Sequence, residues 1–210
     1  MKTNHHHRTP PFVPLLVELP GPAVVFGGGS VGMRKAAVLA SAHVDVVVVD
    51  ATTRAVPAGV RLLCMHVTDA SFKECIPEDA SLVVCALDDT QLNARITTYC
   101  RMQGILVTNA SEGEQGTALF PNVTRRGPYV AAVSSSGTSP LASYAMRRLL
   151  EARASWLLPF GELVSRLSAQ GPLSKERIAL FMGDESLLVI LATGDVDAAV
   201  DYVEGGHGDC

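Results

Sequence analysis

The chain has no surplus of basic residues: among 210 residues Lys and Arg number 17 against 21 Asp and Glu, a formal charge of −4. Nucleic-acid binders concentrate excess base, so that balance argues against a nucleic-acid partner while leaving room for a local basic pocket. No apolar stretch is long enough to span a bilayer. The strongest run, Val44–Val49, is interrupted by Asp45 and closed by Asp50, and reads as a buried strand. The N-terminal stretch MKTNHHHRTPPFVP has no continuous apolar core of a secretory signal, and prolines at 10, 11, 14, 20 and 22 break every candidate. Cysteines are odd in number (64, 75, 85, 100 and 210) and none is spaced CxxC, which argues against a disulfide framework or cysteine zinc site and favours reduced thiols in a cytoplasmic protein. There is no internal repeat, and with 48% hydrophobic residues the chain is neither disordered nor low-complexity.

What is present alternates between strand and helix. Apolar runs at 22–27, 44–50, 60–66, 81–87 and 105–109 read as five strands. Helical spacing occupies 30–42 and the segment opened by Asp88-Asp89-Thr90 and running to about Met102. Strands separated by helices imply a parallel α/β sheet of Rossmann type over residues 12–112. After it, Gly113, Gly116 and Pro121 puncture the pattern. Tyr129–Ser134 reads as one further strand, Ser134–Pro140 as a polar turn, and Leu141–Arg153 and Trp156–Leu167 as helices with a Leu-Pro break at 158–159. Residues 174–203 give two or three short amphipathic segments. The expected organisation is a flexible tail (1–11), the Rossmann-type domain (12–112), a small α+β dimerisation region (113–150) and C-terminal helices (151–210).

Gly27-Gly28-Gly29-Ser30-Val31-Gly32 fits G-x-G-x-x-G between a strand and a helix. In such a turn the first glycine makes the bend, the second admits a pyrophosphate to the backbone, and the third packs helix on strand, with the helix N-terminus facing the anion. Asp50 closes the second strand, where a carboxylate accepts from an adenosine ribose and repels a 2′-phosphate; NAD is favoured over NADP. Asp88-Asp89 can cap the following helix or lie beside the cofactor. His43 and His66 sit at strand edges and read as structural. His5–His7 could bind metal or be a plain tail, the tail being favoured, and the four internal cysteines read as packing residues. Ser139-Pro140 read as the cap of the next helix.

Four stretches carry a family resemblance. FVPLLVELPGPAVVFGGGSVGMRKAAVL resembles the opening of the siroheme synthase N-terminal module, with its V-V-G-G-G-x-V-A-x-R-K-A turn. LVVCALDDTQLN resembles that family's A-x-A-T-D-D-x-x-x-N segment, Leu119-Phe120-Pro121 its F-x-x-P approach, and AVSSSGTSP its A-[VI]-S-[ST]-x-G-x-S-P signature. The order and spacing hold over about residues 12–150. The resemblance implies a homodimeric precorrin-2 dehydrogenase that uses NAD⁺ to form sirohydrochlorin; some members also insert Fe²⁺ in the same cleft. It implies that Ser30 and Val31 line the pyrophosphate, that Asp50, Ala51 and Thr52 lie near the adenosine, and that Ala86–Asp89, Asp88 included, lie beside the cofactor. Bifunctional members place an aspartate after the fifth strand, proposed as base and metal handler. Counting back from Pro121, Ser111 stands there, with Glu112 and Glu114 as possible substitutes. The metal, if any, stays unknown. The substrate's many carboxylates call for arginines: Arg125, Arg126, Arg147 and Arg148, with Arg34 and Lys35 behind the glycine turn and Ser135 as a further substrate contact. Two other functions stay open: metal insertion as the main activity, or a dimer that binds NAD and tetrapyrrole without turnover. No methyltransferase-sized domain is expected in the chain.

Overall fold

The structure, a computed structural model, describes residues 12–53, 55–126, 129–153 and 155–206, with Arg126 and Arg153 described by backbone alone. The tail 1–11 with His5–His7, and Cys210, lie outside the described residues. Five parallel strands form one sheet in the order β3-β2-β1-β4-β5: β1 Ala23–Phe26, β2 Val46–Val49, β3 Val60–Leu63, β4 Leu82–Cys85 and β5 Leu106–Asn109. β1 and β4 are buried at every position, as unbroken apolar runs in the middle of a two-sided sheet should be. The chain runs outward from β1 to β3, returns, and continues outward on the other side through β4 and β5. Strand order therefore reverses between β1 and β4.

Helix α1, Ser30–Ser41, covers one face, where Ala36 and Leu39 pack with Val25, Val48 and Val84. Helix α2, Thr90–Gln103, covers the other with Leu92, Ile96 and Cys100, a stripe four residues apart, against Val24, Val83 and Val107. Asp89 caps α2 by accepting from the Leu92 N–H at 2.9 Å, and Gly104 closes it in the left-handed region at φ 74°.

This unit runs to Phe120 and takes in Ser136–Thr138; the second comprises Pro121–Ser135 and the chain from Ser139 onward. The boundary thus falls beyond the expected residue 112. The reason is that 113–120 returns to β5: Thr117 and Ala118 donate to the Val107 carbonyl, and the Thr117 hydroxyl accepts from the Val107 N–H.

The second unit contains β6, Asn122–Arg126, paired antiparallel with β7, Tyr129–Val133. The polar NVTRR run gave no strand signal in the sequence. Helix α3, Pro140–Arg153, packs on this hairpin and begins with the Ser139 hydroxyl accepting from Ala142 N–H at 3.3 Å. Helices α4 (Leu157–Gln170), α5 (Lys175–Gly183), α6 (Glu185–Thr193) and α7 (Val196–Glu204) share a core of Phe160, Leu163, Phe181, Leu187, Leu191 and Ala199. Pro159 does not break α4: it occupies the first turn, where its missing N–H has no intrahelical partner to lose. Ser174, Asp184 and Asp195 each cap the helix that follows. Among the described residues no helix is long and apolar enough to cross a membrane.

Lys35 departs from expectation. Its ammonium is engaged at β5, donating to the Thr108 hydroxyl at 3.2 Å and lying 5.1 Å from the Phe120 ring. Burial, helped by Arg34 and opposed by Cys85, lowers its pKa to about 8. An unfolded lysine holds its proton to about pH 10.4, so between pH 8 and that value the unfolded chain binds the extra proton and raising pH favours folding; below pH 8 the full penalty applies. Replacing Lys35 by Met is expected to stabilise the protein at pH 7 by on the order of 1–2 kcal/mol, an advantage that shrinks toward pH 10. The buried thiols of Cys75, Cys85 and Cys100 are all raised by burial and act in the opposite direction. The check is therefore the difference between the two proteins' urea midpoints at pH 7 and pH 9.5.

Candidate functional site

The carboxyl ends of β1 and β4 flank the strand-order reversal, the position at which open α/β sheets bind ligands. The residues after β1 form a tight turn with little room for side chains. Gly27 has φ 100°, and a Cβ there would lie 2.2 Å from the Ala86 carbonyl oxygen. At Gly32 a Cβ would lie 2.0 Å from the Gly27 oxygen and 3.3 Å from Val25 Cγ1, so this glycine lets α1 sit on the turn and strand. Gly29 meets nothing within 4 Å; its freedom serves open space in front of the turn. It is also the N-cap of α1 and carries no side-chain cap, so the first N–H groups of α1 lack the capping acceptor that the aspartates and serine before α2 and the last three helices supply. Ser30 and Val31 are exposed beside it. A glycine-lined turn, open space before the second glycine and an uncapped helix start fit a pyrophosphate.

Gly28 has a different explanation, invisible in the sequence. A Cβ there would lie 1.9 Å from Thr53 Oγ1 and 3.1 Å from Asp50 Cβ. Asp50 draws the turn against the end of β2. Its Oδ2 accepts from Gly28 N–H at 2.8 Å, while Oδ1 accepts from Thr52 N–H and Thr53 N–H, both at 2.7 Å, and from the Thr52 hydroxyl at 3.0 Å. Thr53 completes the clamp by donating from its hydroxyl to the Gly28 carbonyl at 3.2 Å. Partial burial pushes the Asp50 carboxyl up, but the bonds from Gly28, Thr53 and Thr52 outweigh it and hold it well below the usual carboxylate range. Oδ2 receives one donor and keeps capacity for a second. Ala51 follows, half-buried, its carbonyl accepting weakly from the Cys64 thiol.

On the other side of the reversal, Ala86 N–H donates to the Phe26 carbonyl at 2.8 Å, fastening the two strand ends together. Asp88 is exposed and Asp89 is the α2 cap. Asn93, fully buried on α2, shapes the segment between: its amide donates to the Leu87 carbonyl at 2.8 Å and to Ser111 Oγ at 3.0 Å, and its oxygen accepts from Leu87 N–H at 3.2 Å. Ser111 is held a second time through its N–H, which donates to Asn109 Oδ1 at 2.9 Å; Glu112 N–H donates to the same oxygen at 3.2 Å. The Glu112 carboxylate pairs with the Gln115 amide. Ser111 Oγ is thus an acceptor from an amide, an arrangement that lowers rather than raises its basicity. Thr53, Asn93 and Asn109 were given no role from sequence; Asn93 stands in the stretch that resembles D-D-x-x-x-N and was the legible one.

Gly27–Gly32, Asp50–Thr52, Ala86, Asp88, Ser111 and Glu112 all belong to the first unit and follow its strand ends or open α1. The substrate candidates Arg125, Arg126, Arg147 and Ser135 belong to the second. Arg125 is exposed on β6, and the side chain of Arg126 lies outside the described residues. Arg147 is not a free cation: it pairs with Glu151 one turn on and lies 5.3 Å from the Tyr144 ring, while Arg148 reaches Glu151 at 3.5 Å. Ser135 Oγ accepts from Ser139 N–H at 2.9 Å in the turn before α3, where Ser136 at φ 52° and Gly137 at φ 86° adopt left-handed backbone. Among the described residues no three His, Cys, Asp or Glu side chains stand close enough together to hold a metal ion.

Comparison with known proteins places these features in context. A family model described as "Putative NAD(P)-binding" matches residues 20–122. The siroheme synthase of Ectopseudomonas mendocina (strain ymp) is 32% identical over 160 residues, covering 73% of this chain and 33% of its own length. That of Psychromonas ingrahamii is 27% identical over 213 residues, 92% of this chain and 43% of its own. The chain therefore spans about a third to two fifths of the length of these curated relatives. Among solved structures, one titled "SirC, precorrin-2 dehydrogenase" superposes with a TM-score of 0.58 at 20% identity, covering 92% of this chain and 100% of that one, which establishes the shared fold.

Proposed function

Because the chain belongs to the family of siroheme synthase N-terminal modules, we propose that it is an NAD-dependent precorrin-2 dehydrogenase, forming sirohydrochlorin in siroheme synthesis. The observation that carries the reading is the glycine turn clamped by Asp50 beside the β1/β4 reversal. Held there by the Gly29–Val31 backbone and Asp50, NAD⁺ would supply the hydride acceptor for a two-electron oxidation of the substrate, with one proton released. The chain's own residues position the reaction. Backbone of Gly29–Val31 at the α1 N-terminus holds the diphosphate, the Gly28 N–H being taken by Asp50; the ionised Asp50 accepts a ribose hydroxyl and repels a 2′-phosphate; the Ala86–Asp88 edge forms the floor of the cofactor cleft. Ser111 and Glu112 border the substrate side. The hydroxyl of Ser111 acts as a polar contact and not as a base, and the reaction is governed by orientation of the hydride donor more than by a strong base.

The test is anaerobic incubation of enzymatically made precorrin-2 with NAD⁺ or NADP⁺, following sirohydrochlorin absorbance. NAD⁺-dependent product, with NADP⁺ at least tenfold poorer, is the expected result; no product with either cofactor overturns the reading.

The active form in this proposal is a cytoplasmic homodimer, its buried Cys75, Cys85 and Cys100 remaining free thiols. Leu141, Ala145 and Leu149 stand four residues apart on α3 and are exposed, the two leucines by 78% and 55%. An apolar stripe of this kind is matched by an identical stripe on a second copy, as two-fold interfaces require. Sedimentation is expected to give twice the chain mass for the wild type and the single mass for Leu141→Glu/Leu149→Glu; a monomeric wild type overturns the assignment.

A further inference from the structure

The last residue of β5 carries a donor that the folded protein leaves without a partner. Asn109 is 2% exposed, and among the described residues its Nδ2 is the one buried side-chain nitrogen or oxygen lacking a hydrogen bond. Exchanging the amide oxygen and nitrogen would not relieve it. Oδ1 accepts from both Ser111 N–H and Glu112 N–H, and a flipped amide would set NH₂ against two donors. Orphaned buried donors are rare because each forfeits its hydration without compensation, so one at the carboxyl edge of a ligand-binding sheet calls for an acceptor supplied from outside the chain.

The position of Asn109 selects the ligand. Along β5, Val107 packs with α2 residues Leu92, Ile96 and Cys100, whereas Leu106 packs with the α1 side and Thr108 receives Lys35. Alternation places Asn109 on the α2 face, the face of Asn93. β5 is one strand beyond β4 and so two strands from the glycine turn. At a strand spacing of roughly 4.8 Å this separates Asn109 by roughly 10 Å from the β1 end and the diphosphate turn, while its register partner Cys85 is the last residue of β4, so Asn109 stands beside the Ala86–Asp88 edge on the side away from the glycines. The exposed Ser111–Glu112 segment hangs from the same amide, both of its N–H groups donating to Asn109 Oδ1.

We infer that Asn109 is a substrate-binding residue whose Nδ2 donates to a carboxylate of the tetrapyrrole once Ser111–Glu112 yields to it. The inference rests on the dehydrogenase reading above. The discriminating variant is Asn109→Asp, which keeps an oxygen for Ser111 and Glu112 N–H, removes the donor and adds charge. Asn109→Ala removes the donor without adding charge. Binding is read by fluorescence titration with sirohydrochlorin and by calorimetric titration with NAD⁺, alongside the KM for precorrin-2. Both variants are expected to weaken sirohydrochlorin binding and raise the KM by about tenfold or more, with NAD⁺ affinity within twofold of wild type.

Unchanged tetrapyrrole binding in a wild-type-like active enzyme overturns the inference alone, the donor then being met by water. A matching loss of NAD⁺ affinity reassigns the donor to the cofactor and overturns it too, as does a loss confined to Asn109→Asp, which would be charge repulsion. A wild type that neither binds sirohydrochlorin nor oxidises precorrin-2 overturns the dehydrogenase reading and this inference with it.

Discussion

Gly27→Ala is expected to remove measurable NAD⁺ binding, a loss of at least about 100-fold, and to destabilise the fold by about 2–4 kcal/mol. Two penalties coincide at this residue. Its φ of 100° places a Cβ against its own backbone, and the Cβ would also stand 2.2 Å from the Ala86 oxygen and 3.0 Å from Leu87 N. Relief requires parting the ends of β1 and β4, which the Ala86 N–H to Phe26 carbonyl bond holds together, and that opening is where the cofactor is proposed to sit. Gly29→Ala is the matched comparison. Its φ is −71° and its Cβ would meet nothing within 4 Å, so the melting temperature should stay within about 2 °C while NAD⁺ affinity falls. Thermal unfolding and calorimetric titration of both variants separate a structural glycine from a ligand-facing one. Wild-type NAD⁺ affinity in Gly29→Ala would place the diphosphate elsewhere.

That contrast shows what a sequence motif encodes. The roles of Gly27 and Gly32 were legible because a strand–turn–helix with this spacing has one way to close, and the core strands were legible because buried parallel strands are unbroken apolar runs bounded by turns. Gly28 has no such rule. Its need for hydrogen arises from Thr53, 25 residues away, and from an Asp50 that folds back onto the turn. The same holds for Lys35, read as an anion contact from its place behind the turn, whereas helix rotation carries it to Thr108 and Phe120. Arg147 was read as an available cation, but Glu151 one turn later in the same helix already claims it. β6 escaped notice because its five residues are mostly polar and pair only with β7. In each case the missing information is a partner brought close by the fold, which periodicity along one segment cannot contain.

Asn93 is the clearest instance, and its replacement has the second large expected effect. Asn93→Ala removes at once the acceptor for Leu87 N–H and the donor to the Leu87 carbonyl and Ser111 Oγ, Asn93 itself being fully buried. With up to three groups left without their partner, a loss of about 2–4 kcal/mol is expected, measurable as a drop in urea midpoint. Activity should suffer separately: the β4–α2 segment, the proposed floor of the cofactor cleft, and the Ser111 segment lose their common tie, so kcat is expected to fall by about tenfold or more and NAD⁺ affinity to weaken less than in Gly27→Ala, whose change strikes the proposed diphosphate turn itself. Ser111→Ala divides the two effects. It deletes only an acceptor, the Asn93 amide still donating to Leu87, so stability should fall by less than about 1.5 kcal/mol. If Ser111 is a polar contact and not the base, dehydrogenation in Ser111→Ala should stay within about fivefold of wild type, far from the 10²–10⁴-fold loss that removal of a general base produces. A loss of that larger size would make Ser111 the proton acceptor despite the amide bonded to it, and would require Asn93 to turn away during the reaction.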